Sequence, residues 1–403
     1  MPLDPLALAL FVATYALVAL GRLPGLKLDR TGFALLGAFA FLATGRISLE
    51  EAKASIDAPT LALLFGMMLL SAQYQISGLY GSIVRRLAHV EAPKRLLAGT
   101  LVVSALLAAV LTNDVVCFAL TPLVGAALLA ARRDPLPFFL AIACGTNIGG
   151  ALTPIGNPQN ILISQQMSLA FLPFVAACAA PVTVALGFAF FLLQRGLGAP
   201  VRQATAVVSP AAPPLDRREA AKAIVLTVAA IALFLSPVPA YLTACLVAGV
   251  VLTSRRMHTR EMLGLVDWHL LALFVGLFVV TRGLEVAGWT AAGAQALAAA
   301  GLPLESPVVL VPVAAVAGSL IGNVPIVMLL LRFVPGEAEL GYALALASTF
   351  AGNAVLVGSV ANLIVAEQAA RLGAPFGFRE HLRVGLPVTL VSLAGAVAAL
   401  LLR

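Results

Sequence analysis

Gly145–Ile163 reads G-T-N-I-G-G-A-L-T-P-I-G-N-P-Q-N-I-L-I, inside the apolar segment Leu136–Gln166. A segment of that length can cross a bilayer, which takes about 20 apolar residues as a helix. A lipid-facing helix would not carry four glycines, two prolines and three asparagines at that depth. Each break frees backbone N–H and C=O groups for which hydrocarbon has no partner, so such backbone survives only where protein buries it or water reaches it. The stretch therefore predicts a helix, 136–166, broken near the middle of a membrane and enclosed by the rest of the chain.

Composition agrees with a membrane setting. Of 403 residues, 61% are apolar and 11% charged, against about 45–50% and about 25% in soluble domains. The net charge of +7 would suggest nucleic acid in a soluble protein. Here it comes from loops between apolar spans, with no basic patch interleaved with aromatics, so no nucleic-acid partner is expected. Cys117, Cys144, Cys178 and Cys245 lie in apolar segments without Cys-x-x-Cys spacing, which argues for packing rather than metal or disulfide roles. His89, His258 and His381 read as loop residues and His269 as a helix end, with no metal spacing. No nucleophile–base set or Walker motif is present, so an enzyme is not expected. No cofactor is expected either, beyond Na⁺ or H⁺ as a coupling ion.

A second signal lies upstream. Two apolar limbs within 96–131 meet at Thr112-Asn113-Asp114, with Arg95 before them and Arg132 and Arg133 after. The limb Leu96–Leu111 would reach about 24 Å at ~1.5 Å per residue, short of a full crossing, so a re-entrant hairpin with a polar tip is expected; two full crossings would satisfy the same charges. Both signals recur. Adding 210 takes Asp57 to Asp267, Gly66 to Gly276, Gly78 to Gly288 and Asn113 to Asn323; adding 202 takes Gly150 to Gly352, Gly156 to Gly358 and Asn160 to Asn362. The expected layout is a first repeat, 1–194, a cytoplasmic linker, 195–222, and a second repeat, 223–403, with its hairpin at 307–331 and broken helix at 342–366.

Charge decides the orientation. Placing Arg85–Arg95 in the cytoplasm puts loops there that hold 20 of the 25 Lys and Arg residues, as the positive-inside rule requires. The span 58–79 then runs inward and its counterpart, 269–287, outward, so the repeats are inverted and both termini face outside. The fold expected is an all-α polytopic membrane protein of two inverted repeats. Each has about five transmembrane helices, one re-entrant hairpin and one broken helix. The composition suits a bacterial inner (plasma) membrane.

With these residues the chain resembles the ion-transporter superfamily, which includes divalent-anion/sodium symporters, arsenite-efflux permeases and citrate permeases. The resemblance rests on the tips Thr112-Asn113-Asp114 and Gly322-Asn323-Val324, and on the breaks 153–160 and 356–362. It implies a secondary transporter whose hairpin-bearing parts move in an elevator-like way against a scaffold, as a homodimer. The symporters' tips read Ser-Asn-Thr. Here Asp114 replaces one hydroxyl and the second tip keeps only its asparagine, and Asn-Asp looks more like the arsenite-efflux branch.

Helix N-termini and hairpin tips converging at midplane can hold an anion through backbone N–H groups and dipole ends. No basic residue adjoins the four motifs in sequence, so recognition is assigned to amides and hydroxyls. Candidate substrate and ion ligands are Thr112, Asn113, Asp114, Thr146, Asn147, Thr153, Gly156, Asn157 and Asn160, with Asn323, Asn353, Gly358, Ser359 and Asn362 from the second half. Asn160 and Asn362 are equally suited to bracing the breaks. Asp114 is the one carboxylate expected deep in the membrane, where ionisable groups are functional by default; it is the candidate coupling residue, with helix capping as its other role. The function expected is cation-coupled (H⁺ or Na⁺) transport of a small anion or oxyanion. Arsenite or antimonite efflux by proton antiport, and Na⁺/H⁺ antiport, are the alternatives.

Overall fold

The computed structural model describes residues 3–21, 23, 25–198, 214–253 and 257–402. Within them the chain forms twenty α-helices and two short 3-10 turns. Residues 199–213 of the expected linker, and Arg22, Arg202, Arg255, Arg256 and Arg403 of the charge count, lie outside the described residues. The linker's last part is not a linker: the helix Arg217–Phe234 begins there, capped by Asp216 accepting from Arg218 and Glu219 N–H.

Among the described residues, six helices are long and apolar enough to cross a bilayer: Ala58–Ile76, Pro93–Val110, Asn113–Ala130, Phe171–Gly196, Trp268–Val286 and Phe378–Leu401. Shorter apolar helices, among them Arg30–Ala43, Leu136–Gly150, Ala240–Leu252 and Pro307–Ile321, fill the spaces between them. This is an all-helical, multi-span membrane architecture. Large apolar side chains such as Leu320, Val225 and Leu390 are 60–70% exposed, which water would penalise and lipid does not.

Helix bounds recur along the chain. Helices starting at Arg30, Ala58 and Leu79 are followed, 210 residues on, by helices starting at Ala240, Trp268 and Trp289; those starting at Leu136 and Pro158 are followed, 202 on, by helices starting at Ala338 and Val360. Local chemistry explains the matching ends. Asp57 and Asp267 each cap a span by accepting from the N–H three residues on, at 3.0 and 2.9 Å, and Gly78 and Gly288 turn the chain after it at φ 73° and 79°, a conformation that glycine adopts without a Cβ penalty. Packing is exchanged between the halves. A β-carbon on Gly66 would lie 2.5 Å from the Ala244 carbonyl oxygen, and one on Gly276 2.8 Å from the Ala34 carbonyl carbon. The 210 offset converts the first close crossing into the second, so each half lays its span on the other half's short helix.

The first hairpin's limbs are longer than expected. Pro93–Val110 and Asn113–Ala130 have 18 residues each, about 27 Å at ~1.5 Å per residue, with Leu111 and Thr112 extended between them. The second hairpin is unequal: Pro307–Ile321 has 15 residues and Asn323–Leu330 only 8, joined at Gly322 with φ 109°. The return limb is ten residues shorter than its counterpart and the loop after it two residues longer (331–337 against 131–135), which together give the drop in offset from 210 to 202. Both broken helices form the molecular interior: 137–150 and 340–351 are wholly buried. Small residues let neighbours approach them, as membrane helix packing demands. A β-carbon on Gly149 would collide with the Ala105 backbone, and one on Gly145 would lie 3.0 Å from Leu101.

Candidate functional site

Leu136–Gly150 stops, turns through 151–157 and resumes as Pro158–Gln166; Ala338–Ala351 likewise resumes as Val360–Arg371. The carbonyls freed at the breaks need donors, and one asparagine in each break supplies them. Asn160 Nδ2 donates to Gly150 O and Thr153 O, both at 3.1 Å. Asn362 Nδ2 donates to Gly352 O at 2.6 Å and Val355 O at 3.4 Å. The four acceptors are counterparts at the 202 offset. Bracing is therefore the role these two side chains perform.

Each break is also tied to the opposite half. Asn147 Nδ2 donates to Asn353 Oδ1 and Asn362 Oδ1, both at 3.0 Å, while its Oδ1 accepts from Asn113 Nδ2 at 3.1 Å and Ser359 Oγ at 3.2 Å. Its counterpart Thr349 accepts from Asn157 Nδ2 at 3.1 Å and Gln159 Nε2 at 3.4 Å, and lies 3.4 Å from Asn160 Oδ1. Asn157 caps the resumed helix, its Oδ1 accepting from Asn160 N–H at 2.8 Å. Thr153 Oγ1 donates to Ala109 O, and Gly156 O accepts from Asn113 N–H at 3.2 Å, so the first break is sewn to the first hairpin tip. Gly156 has no room for a side chain: a β-carbon there would lie 2.5 Å from Gly150 O. Thr146 turns away from the cavity, donating to Ile142 O at 2.8 Å and standing 3.0 Å from Cys117 Sγ, whose S–H can donate to its oxygen.

Between the tips and breaks lies a cavity of about 60 Å³, lined by Asn113, Asp114, Pro158, Gln159, Asn323, Gly358, Ser359 and Val360, among others. It has room for a few water molecules. Four half-helices, starting at Asn113, Pro158, Asn323 and Val360, present their N-terminal ends here. Asn113 and Asn323 are 3% and 9% exposed, and the Oδ1 atom of each has no hydrogen-bond partner. A buried polar atom left unpaired costs about 1–3 kcal/mol, so two of them on residues that line one cavity mark a place for a donor or a cation. Asp114 lines the same cavity, half-buried, and makes no hydrogen bond among the described residues. It is not the cap of its helix, which has no side-chain cap bond. Of the sequence candidates, Asn113, Asp114, Asn323, Gly358 and Ser359 line the cavity. Thr153, Asn157, Asn160, Asn147, Asn353 and Asn362 lie outside the lining and hold the breaks and the first tip together, and Thr112 is buried at the first tip, its Oγ1 unpartnered.

Two expectations are corrected. Recognition does not rest on amides and hydroxyls alone, because a basic residue adjoins the motifs in space: Arg30 starts the helix Arg30–Ala43, lines the cavity and donates from Nη2 to Val357 O at 3.4 Å. His381 is no loop residue but fully buried in Phe378–Leu401. Its Nε2 donates to Asn353 O at 2.9 Å, with Asn362 Nδ2 3.3 Å from the same nitrogen. Gly385, one turn on, lets that helix press against Asn353 O, which a β-carbon would strike. Gln159 and Thr349 also went unnoticed. Thr349 was within reach, being Asn147 displaced by 202 residues.

Beyond the small cavity lies an open vestibule of about 860 Å³, sharing Arg30, Asp114, Leu270, Leu273 and Val360 with it and adding Asp29, Asp267, His269 and Glu367. A second opening of about 710 Å³ is lined by Leu63, Pro154, Ser164, Gln165, Ala240 and Tyr241, among others. These six are the offset counterparts of Leu273, Leu356, Ala366, Glu367, Arg30 and Thr31.

Known proteins are similar to this chain along nearly its whole length. The 46 kDa membrane protein of Mycobacterium leprae is 29% identical over 99% of this chain and 98% of its own length. The silicon efflux transporter LSI3 of Oryza sativa subsp. japonica is 28% identical over 95% of each. In three dimensions the YdaH transporter of Alcanivorax borkumensis superposes with a TM-score of 0.62 at 16% identity, covering 98% of this chain and 95% of that one, so the fold is shared. Residues 15–342 match the Citrate transporter family, and the chain belongs to that family: it is a secondary transporter of the ion-transporter superfamily, not an enzyme.

Proposed function

We propose that the chain couples the movement of H⁺ or Na⁺ to that of a small anion or oxyanion. One observation carries this reading. Four half-helix N-termini, two asparagines whose oxygens are unpaired, and Asp114, whose carboxylate makes no hydrogen bond among the described residues, line one small cavity. The helix ends supply positive potential and free N–H groups for an anion, while the oxygens suit a hard cation or a proton. Anion and cation thus find complementary partners within one site, which is the requirement for coupling. Asp114 carries the coupling charge, with Asn113, Asn323, Gly358 and Ser359 around the bound species. Thr112, Thr146, Asn147, Thr153, Gly156, Asn157, Asn160, Asn353 and Asn362 hold the site in shape.

The exchanged packing and the recurring helix bounds support two repeats, 1–194 and 223–403, and the charge count supports their inversion, with both termini outside. Hairpins and broken helices would then move together as the transporting part of a homodimer. The cavity's acceptors also favour a second reading: a neutral, multiply hydroxylated oxyacid such as arsenous acid, donating its O–H groups to Asn113, Asn323 and Asp114. The likeness to a silicon efflux transporter points the same way.

Proteoliposomes with imposed Na⁺ or H⁺ gradients decide between them. Citrate, phosphate, sulfate and arsenous acid are offered to the wild type and to Asp114→Asn. Gradient-driven movement of one of the anions, uncoupled in Asp114→Asn, is the expected result. Movement of arsenous acid alone selects the second reading, and normal coupling in Asp114→Asn removes the carboxylate from the mechanism.

A further inference from the structure

Arg30 belongs to no hairpin and no broken helix. It is the first residue of a short helix that packs on Trp268–Val286, and the chain delivers it to the seam between cavity and vestibule, both of which it lines. Its guanidinium lies beside the second tip: a β-carbon on Gly322 would stand 3.7 Å from Nη1. Among the described residues it has no ion pair within 4.0 Å, and its hydrogen bond to Val357 O is a long one. The adjacent Asp29 is already engaged, accepting from Gly32 N–H at 2.9 Å and facing His269 at 3.9 Å.

Charges of both signs meet there: Asp114 lines the same cavity, and Asp29, Asp267 and Glu367 line the adjoining vestibule. The helices starting at Asn323 and Val360 both point their N-terminal ends at the cavity, and neither has a side-chain cap. At the second tip and break, however, the half-buried guanidinium and two positive dipole ends concentrate positive potential on one edge of the cavity, where an anion fits. The two repeats differ at this point. The counterpart of Arg30 is Ala240, which lines the other opening, so a fixed cation guards only one of the two related entrances.

We propose that Arg30 is the specificity-determining residue of the site, selecting an oxyanion over a neutral solute by bridging from the non-hairpin part of the molecule to the anion held at the second tip and second break. This deepens the transport reading above and rests on it for the location of the site. A guanidinium bonds an oxyanion through paired, charge-assisted N–H groups, and lysine supplies charge without the fork. Arg30→Gln should therefore weaken anion binding about tenfold to a hundredfold, the loss expected for one charge-assisted contact. Arg30→Lys should recover part of it.

The test is ligand-induced thermal stabilisation of the purified full chain in detergent, titrated with phosphate, sulfate or citrate, and with arsenous acid as the neutral probe. Wild type should be stabilised by at least one anion, Arg30→Gln should need at least tenfold more of it, and any response to arsenous acid should be the same in both. The proposal is overturned if no anion stabilises the wild type, or if Arg30→Gln, monodisperse on size exclusion, binds the anion as the wild type does. Gradient-driven uptake is measured in parallel on the same proteins. Arg30-dependent binding without gradient-driven uptake would retain this inference and discard the transport reading; coupled anion uptake indifferent to Arg30 would do the reverse.

Discussion

Asn147 is the side chain on which the two halves meet. Its amide joins the first tip (Asn113) to the second break (Asn353, Ser359, Asn362) through four hydrogen bonds. Asn147→Ala leaves several buried partners unpaired at about 1–3 kcal/mol each, so the purified variant should show a markedly lower unfolding temperature. An unchanged melting temperature would mean that the network relaxes onto other partners. Asn160 and Asn362 brace equivalent carbonyls, which gives a sharper comparison. Asn160→Ala and Asn362→Ala should both destabilise by about 1–3 kcal/mol, Asn362→Ala by more, because Asn362 Oδ1 also accepts from Asn147 Nδ2 at 3.0 Å whereas Asn160 Oδ1 meets only Thr349 Oγ1 at 3.4 Å. Asp114 behaves differently at this scale. Since it caps nothing and accepts no hydrogen bond, Asp114→Asn should melt within a degree or two of the wild type while altering ion coupling. A large fall in its melting temperature would reinstate a structural role.

Among elements, the contact between Pro93–Val110 and Leu136–Gly150 decides whether the first break stays beside the first tip. Gly149 is its closest point. Gly149→Val would drive a branched side chain into the Ala105 backbone, and overpacking on that scale costs about 1–3 kcal/mol or more; the expected result is a loss of folded, monodisperse protein. Gly187→Ala is the control, because nothing lies within 4 Å of the added carbon and alanine favours a helix by about 0.5–1 kcal/mol. If both variants purify alike, the helices do not pack as described. Much of this level was legible in the chain. The breaks stood out because glycine, proline and asparagine in an apolar run have no place in lipid, and the second half was found through Gly and Asn positions where few other residues fit. What escaped is instructive. Arg30 sat among other basic residues near Lys27, and a loop charge looks no different in sequence from one that the fold carries to a cavity. His381 stands among Arg379, Glu380 and Arg383, and only the packing of its helix turns that one side chain inward. The short second return limb, by contrast, was legible, because the hairpin expected at 307–331 with its tip at 322–324 leaves only that length after the tip, and the changed offset records it.

At the scale of the whole molecule, orientation is the property from which the rest of the mechanism follows. Packing exchanged between halves is what a two-fold relation produces, and the axis of that relation decides whether the two openings reach opposite sides. If it lies in the membrane plane, the charged vestibule at Asp29, Arg30 and Glu367 and the uncharged opening at Ala240 and Gln165 face different compartments. One site then has two exits, with the fixed cation at only one. If it lies along the normal, both openings face the same side and alternating access through them is impossible. Counterpart loops distinguish the two cases directly. Glu91 and Glu305 are exposed in the loops that precede the two hairpins, and Glu50 and Arg260 are exposed in counterpart short helices. Single cysteines at these positions would be placed in a background with all four native cysteines replaced, Cys245 included because it alone among them is exposed. Intact cells are then treated with a membrane-impermeant maleimide. Inverted repeats predict labelling at Glu50→Cys and Glu305→Cys, and protection of Glu91→Cys and Arg260→Cys until the cells are opened. Labelling of both members of either pair from the same side would establish parallel repeats. The charged vestibule and its counterpart would then share one compartment, and the two-exit mechanism would fall with the inversion.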